Sequence, residues 1–188
     1  SDNTAMGNQA ISQNTTGDGN TAFGAAALYA NTTAANNTAV GRSALTANTT
    51  GHSNVAVGAN AGDAITTGDA NVAVGYVALS ATTTGDYNTA VGRGALAVNT
   101  TASNNTGLGY ASLGANTTGT SNVAVGRSAL EANTTASNNT GLGYGALAAN
   151  TEGTQNTAIG AYAGDAITTG SENTTVGYAS SGATTTGI

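Results

Sequence analysis

The sequence predicts an all-β protein, a parallel β-solenoid (β-roll) of eleven 17-residue coils. Three observations lead to this prediction: a strict period of 17 residues, an alternating segment at the start of each copy, and glycines that mark turns in each copy. A short, strict period indicates units that stack on their neighbours. Helical repeats need about 33 to 47 residues for their helices, so a coil of strands fits this period better.

The period has the same phase along the whole chain, and residues 1–188 form a single repeat domain. Positions within a copy are numbered 1 to 17, and position 1 is always asparagine. The copies begin at Asn3, Asn20, Asn37, Asn54, Asn71, Asn88, Asn105, Asn122, Asn139, Asn156 and Asn173.

Positions 2 to 5 of most copies read Thr or Val, then Ala, then a large apolar residue, then Gly. This alternation is typical of a half-buried strand. We expect the apolar side chains at position 4 to form the structural core. They include Val40, Val57, Val74, Val91, Leu108, Val125, Leu142 and Ile159.

Position 5 is glycine in every copy, and position 15 is glycine or alanine. Glycine at a fixed position indicates a corner that needs positive φ or a close approach of two backbones. The predicted corner glycines at position 5 include Gly41, Gly58, Gly75, Gly92, Gly109, Gly126, Gly143 and Gly160.

The second half of each copy is less regular. Positions 7 to 10 are read as a second short strand, because four or five residues between turn signals are too few for a helix. Asparagines at positions 1 and 12 suit corners and can hydrogen-bond into ladders along the axis. Position 13 is threonine in every copy, from Thr15 to Thr185, and suits an extended edge.

Two copies exchange residues in a way that tests this interpretation. Position 9, usually leucine or isoleucine, is glycine at Gly62 and Gly164. In the same copies, position 12 becomes Ile65 and Ile167 instead of asparagine. One large apolar residue is lost and another appears three positions later, which predicts that the side chains of both positions pack in the same interior.

Composition excludes several classes of function. The chain has three arginines, no lysine and a net charge of -6, which argues against nucleic-acid binding. It has no cysteine, so disulfides and thiolate metal sites are absent, and no apolar run is long enough for membrane insertion by this segment. No catalytic set of residues or phosphate-binding loop is recognisable, so we expect no enzyme activity, no cofactor and no metal. His52, Asp63 and Asp165 are interpreted as solvated turn residues.

Position 6 carries a candidate surface stripe of arginine and tyrosine. Such a stripe could stack on sugars or pair with acidic groups, and it is equally consistent with a solvent face or a contact between chains. Its members are Arg42, Tyr76, Arg93, Tyr110, Arg127 and Tyr144, and Tyr178 has the same position.

The segments NVAVGANA at Asn54 and NVAVGRSA at Asn122 resemble the head repeats of trimeric autotransporter adhesins of the YadA type. The resemblance implies a left-handed parallel β-roll, three chains packed side by side, and display on a bacterial surface that binds host matrix or other cells. The ANTTG segment in the second half makes these copies longer than those of the family. Long copies of this kind are also similar to those of phage tail fibres.

These observations lead us to expect a structural segment of an extracellular fibre or cell-surface adhesin, which self-associates and presents a repeating surface. A core built mostly of alanine and valine buries little in one stack, so packing as a homotrimer or in a filament would supply the missing support. Expected partners are further copies of the chain, laterally and end to end, and a host surface or matrix. The alternatives are an ice-binding β-solenoid that uses the threonine column, and a phage tail-fibre shaft.

Overall fold

The structure is a computed structural model and describes residues 2–181. It contains one three-residue strand at positions 2 to 4 of each copy, and the strands form a single parallel sheet in chain order. Thr185 and Gly187, the last members of the columns at positions 13 and 15, lie outside the described residues. The strands are β1 (Thr4–Met6), β2 (Thr21–Phe23), β3 (Thr38–Val40), β4 (Val55–Val57), β5 (Val72–Val74), β6 (Thr89–Val91), β7 (Thr106–Leu108), β8 (Val123–Val125), β9 (Thr140–Leu142), β10 (Thr157–Ile159) and β11 (Thr174–Val176).

Each strand pairs in register with the residues 17 positions later, so that Ala39 of β3 lies beside Ala56 of β4. The chain is therefore a parallel β-solenoid with a coil of about 17 residues, as the period predicts. With a rise of about 4.8 Å between neighbouring strands, eleven coils make a sheet roughly 50 Å long.

The predicted second strand at positions 7 to 10 is absent from the described coils, where positions 6 to 11 form turns. Positions 7 and 9 adopt left-handed backbone angles, for example φ 59° at Ser43 and 49° at Leu45. This conformation curves the chain too tightly for a strand. The turns still bond between coils, since the Leu45 amide donates to the Ala61 carbonyl at 3.1 Å.

The apolar half of the interior is built from positions 3, 8 and 9. In the third coil, Ala39, Ala44 and Leu45 are fully buried. The two alanines leave room for one leucine per coil, which is the largest side chain inside. The buried leucines at position 9 are Leu28, Leu45, Leu79, Leu96, Leu113, Leu130 and Leu147.

The position-4 residues do not form this core, which corrects the expectation from the sequence. Successive side chains of a strand point to opposite faces, and position 3 points inward, so position 4 points outward. Val57 is 37% exposed and Ile159 is 42% exposed. The rest of the expected core is likewise only partly covered: Val40, Val74, Leu108 and Leu142 are half-buried, and Val91 and Val125 are exposed.

The other half of the interior is polar and is held by two asparagine ladders. The Asn37 main-chain amide donates to Asn20 Oδ1 in the preceding coil at 3.0 Å. Asn48 Nδ2, at position 12, donates to Asn31 Oδ1 at 3.2 Å. Both side-chain amides also donate to the Gly51 carbonyl of their own coil, at 2.8 and 3.0 Å. The buried amide donors are therefore satisfied within and between coils.

The glycine-for-leucine exchange is confirmed as compensation within a shared interior. Ile65 and Ile167 are buried in the same cluster as the leucines. A Cβ atom added to Gly62 would lie 3.0 Å from Ile65 Cδ1 and 3.2 Å from Leu45 Cδ2. The isoleucine thus occupies the space that leucine fills in other coils.

The corner glycines at position 5 are required by both φ and space. Gly41 has a φ of 137°, and a Cβ atom there would lie 2.5 Å from the Gly58 carbonyl oxygen of the next coil. From Gly41 to Gly160, all eight have φ between 130° and 138°. Any other residue at this corner would both strain the backbone and push neighbouring coils apart.

Candidate binding surface

The outward side of the sheet, here called the strand face, consists of the position-2 and position-4 side chains of β1 to β11. Position 2 is threonine or valine, and position 4 is methionine, phenylalanine, valine, leucine or isoleucine. No residue of either column carries a charge. The face is therefore a continuous strip of apolar side chains and threonines that runs the length of the solenoid.

Around the corner from the strand face, the arginines and tyrosines of position 6 form a stacked stripe. The Arg93 guanidinium carbon lies 5.9 Å from the ring centroid of Tyr76 and 5.6 Å from that of Tyr110. The guanidinium carbon of Arg127 lies 5.6 Å from the ring centroids of both Tyr110 and Tyr144. These are cation–π distances, so five predicted members form one continuous stack.

Arg42 stands apart from this stack. The coil between Arg42 and Tyr76 has Ala59 at position 6, which interrupts the column. Arg42 instead donates through Nη2 to Asn60 Oδ1 at 2.9 Å. The stripe predicted from the sequence is therefore divided into an isolated arginine and a stack of five residues.

At the other end of the stack, a groove of about 490 Å³ opens beside Tyr144. Besides Tyr144, the middle coil contributes only small residues, among them Gly145 and Ala148, and these form the floor. Glu131 of the preceding coil and Asp165 of the following coil lie on either side of that floor. At position 10, the small Ala148 therefore lies between two acidic residues of the neighbouring coils, and this difference opens the groove.

A second tyrosine completes this groove. Tyr162 lies at position 7 rather than position 6, and its ring meets that of Tyr144 edge to face with centroids 5.0 Å apart. A hydrogen bond with the Tyr144 side chain, followed by desolvation, raises the pKa of the Tyr162 hydroxyl. Tyr144 is 41% exposed and Tyr162 is 37% exposed, so both rings offer surface to a ligand.

This groove was not predicted from the sequence. Asp165 was predicted to be a solvated turn residue, and no pattern singled out Glu131 or Tyr162. One signal was present: Tyr162 is the only aromatic residue at position 7, in a coil whose position 6 is Ala161. Glu131 and Asp165 also share position 10, two coils apart.

The threonine column at position 13 links neighbouring coils. From Thr15 to Thr151, each hydroxyl donates to the main-chain carbonyl of the threonine 17 residues later, at 2.9 to 3.4 Å. The neighbouring position-14 side chains are exposed along the described coils. The column that joins the coils is thus separate from the column that faces solvent.

His52 and Asp69 hydrogen-bond to the backbone through their side chains. His52 Nδ1 accepts from the Ala35 amide at 3.0 Å, and the His52 amide donates to Asp69 Oδ1 at 2.6 Å. Between residues 2 and 181, no group of three or more His, Cys, Asp or Glu side chains is placed to hold a metal ion. The same range contains no helix with the length and hydropathy needed to cross a membrane.

Comparisons with protein-family models, curated proteins and solved structures found no match. The similarity to adhesin heads therefore stays a resemblance of the repeat motif. Solenoids carry many unrelated functions, so function has to be argued from the surfaces themselves.

Proposed function

We propose that this chain is a structural segment of an extracellular fibre or cell-surface adhesin, and that it associates laterally with further copies of itself through the strand face. The observation that carries the proposal is the outward-facing position-4 column, which is half-buried to exposed and places a large apolar side chain on the outside of every coil. Continuous exposed apolar strips of this kind are typical of interaction surfaces in soluble proteins.

A second copy of the same chain is the occupant that fits this face best. The strand face carries no charge, so two copies can meet without like-charge repulsion, although the chain as a whole has a net charge of -6. Its columns have the same spacing of about 4.8 Å in every copy of the chain, so side chains of neighbouring rods can interdigitate in register. Burial of position 4 would also add apolar contact to a thin interior of alanine and leucine.

The proposed arrangement is a homotrimer or filament with a left-handed coil, as the resemblance to adhesin heads implies. In such an assembly, the surfaces left outside repeat at every coil. Repetition converts weak individual contacts with a host surface or matrix into avidity. A phage tail-fibre shaft would use the same architecture, and self-association is expected for the adhesin and for the phage fibre alike.

The test is the mass in solution, measured by light scattering, with negative-stain imaging of the same sample. The wild-type chain is expected to form trimers or filaments. A variant with threonine in place of Val57, Val91, Val125 and Ile159 keeps β-branched side chains but adds four hydroxyl groups to the strand face, and it should shift towards the monomer. A matched control replaces four exposed position-14 residues, Thr50, Thr67, Thr101 and Thr118, with valine and should keep the assembly.

A stable wild-type monomer would overturn this proposal and favour the ice-binding alternative, which thermal hysteresis measures directly. That alternative relied on the position-13 threonines. Their hydroxyls already donate to carbonyls between Thr15 and Thr151, so an ice-facing array would have to use the exposed position-14 column instead.

A further inference from the structure

We propose that the groove between Glu131 and Asp165 binds a neutral saccharide. The site lies within one chain and away from the strand face, so the proposal does not depend on self-association. It brings together two tyrosines, two carboxylates and one arginine over a floor of small residues.

The first argument is the shape of the groove. Gly145 and Ala148 of the middle coil leave space between the Glu131 side of the preceding coil and the Asp165 side of the following coil. Glu131 and Asp165 are two coils apart, which corresponds to about 10 Å along the axis. An extended ligand of two sugar rings can therefore lie on the small-residue floor and reach both carboxylates.

The second argument is the chemistry of the walls. In the part of the chain that the structure describes, neither the Glu131 nor the Asp165 carboxylate has a hydrogen-bond or ion-pair partner. Ionised carboxylates accept hydrogen bonds only, and sugar hydroxyls donate them. Tyr144 and Tyr162 add aromatic surface against which the C–H face of a sugar ring can pack.

The third argument separates a neutral sugar from a cation. Two tyrosines and two carboxylates would also suit an ammonium group. However, the Arg127 guanidinium already lies 5.6 Å from the centroid of Tyr144 and contributes to the groove wall. A fixed positive charge on one ring opposes a second cation, but it can donate hydrogen bonds to sugar oxygens.

A second groove on the same stripe provides an internal comparison. It lies beside Gly94, Arg93 and Tyr110, and its volume is about 140 Å³. The position-10 residues of that coil and its neighbours are Ser80, Ala97 and Gly114, none of which is acidic. An arginine, a tyrosine and a glycine notch therefore recur without the carboxylates or the second tyrosine.

The experiment is an NMR titration of the full chain with three neutral tetrasaccharides: cellotetraose, maltotetraose and N-acetylchitotetraose. At least one is expected to bind in the millimolar range, with shifts concentrated at Gly145, Tyr144 and Tyr162. Choline and tetralysine are titrated in parallel as cationic probes. Binding of the cations alone would overturn the saccharide proposal, as would the absence of binding by every sugar.

Variants built from the chain's own repeats keep the fold while removing the site. Tyr162→Asn introduces the residue found at Asn60, in the matching AGDAITTG coil, and Glu131→Ala introduces the residue found at Ala148. Each should weaken saccharide binding at least tenfold. Tyr76→Ala removes a stripe tyrosine outside the groove and should change affinity less than twofold. Circular dichroism confirms folding of each variant, and equal binding by all four proteins would show that the sugar occupies another site.

Discussion

The shared interior of positions 9 and 12 makes a quantitative prediction for the coil that contains Leu130 and Asn133. The double variant Leu130→Gly/Asn133→Ile converts this coil to the pattern of Gly62 and Ile65. The free energy of unfolding of the double variant should be much higher than the sum of the two single losses predicts. Both wild-type side chains are fully buried, so the effects arise inside the solenoid.

Leu130→Gly alone leaves a cavity that costs about 3 to 5 kcal/mol, as for other buried leucine truncations. Asn133→Ile alone forces isoleucine against Leu130, at about 1 to 3 kcal/mol. It also removes the Nδ2 donor that Asn116 Oδ1 accepts at 2.9 Å. That orphaned oxygen costs about 1 to 3 kcal/mol in the single and the double variant alike. The native exchanges leave the same kind of orphaned oxygen: Asn48 Oδ1 and Asn150 Oδ1, in the coils that precede Ile65 and Ile167, have no hydrogen-bond partner.

The cavity and the overpacking cancel only when both changes are present, so the favourable coupling should be about 4 kcal/mol or more. Urea denaturation followed by far-UV circular dichroism measures the four free energies, and equal m values are required for the comparison. The control pair is Leu79→Gly with Asn133→Ile, three coils or about 14 Å apart, which should be additive. Coupling within about 0.5 kcal/mol of zero in the Leu130 pair would refute the shared interior.

Three further predictions follow from single contacts. Gly109→Ala should lower the free energy of unfolding by about 3 kcal/mol or more, because its φ is 136° and the new Cβ would lie 2.6 Å from the next coil's glycine carbonyl; unchanged urea stability would contradict this. Thr100→Val should cost about 1 kcal/mol by removing the hydroxyl bond to the next coil, whereas Thr101→Val, at an exposed site, should cost almost nothing. The raised pKa of Tyr162 means that its contribution to stability is present below the usual tyrosine range and is lost as pH rises through the folded-state value. Tyr144→Phe should lower the pKa of Tyr162 in an ultraviolet titration, and an unchanged value would exclude the hydrogen bond as the cause.

Much of the fold was readable from the sequence because neighbouring coils pair in register. A residue and its counterpart 17 positions later occupy the same place in the stack, so a requirement at one coil recurs at every coil. That recurrence predicted a strand at positions 2 to 5, of which positions 2 to 4 form it, and it predicted the corner at Gly41 and the asparagine ladder at Asn48. It also revealed the exchange of Gly62 and Ile65, since a loss and a gain in one interior must balance in volume.

The groove could not be read from any single coil. It needs Glu131, Ala148 and Asp165 from three successive coils at position 10, and Tyr162 from a position that carries no other aromatic residue. A repeat is defined by what its copies share, whereas this site arises where three adjacent copies differ. Only stacking brings those differences together.

The sequence by itself therefore determined the period, the register and the corners of this protein, because each depends on residues that recur in one place. The tertiary structure alone decided which side of the strand is inside. The alternation of Ala39 and Val40 allows either residue to point into the core, and hydropathy favoured the larger one, Val40, for the interior. The left-handed turn directs Leu45 inward, where it is buried with Ala39. Because successive side chains of a strand point to opposite faces, Val40 lies on the outside.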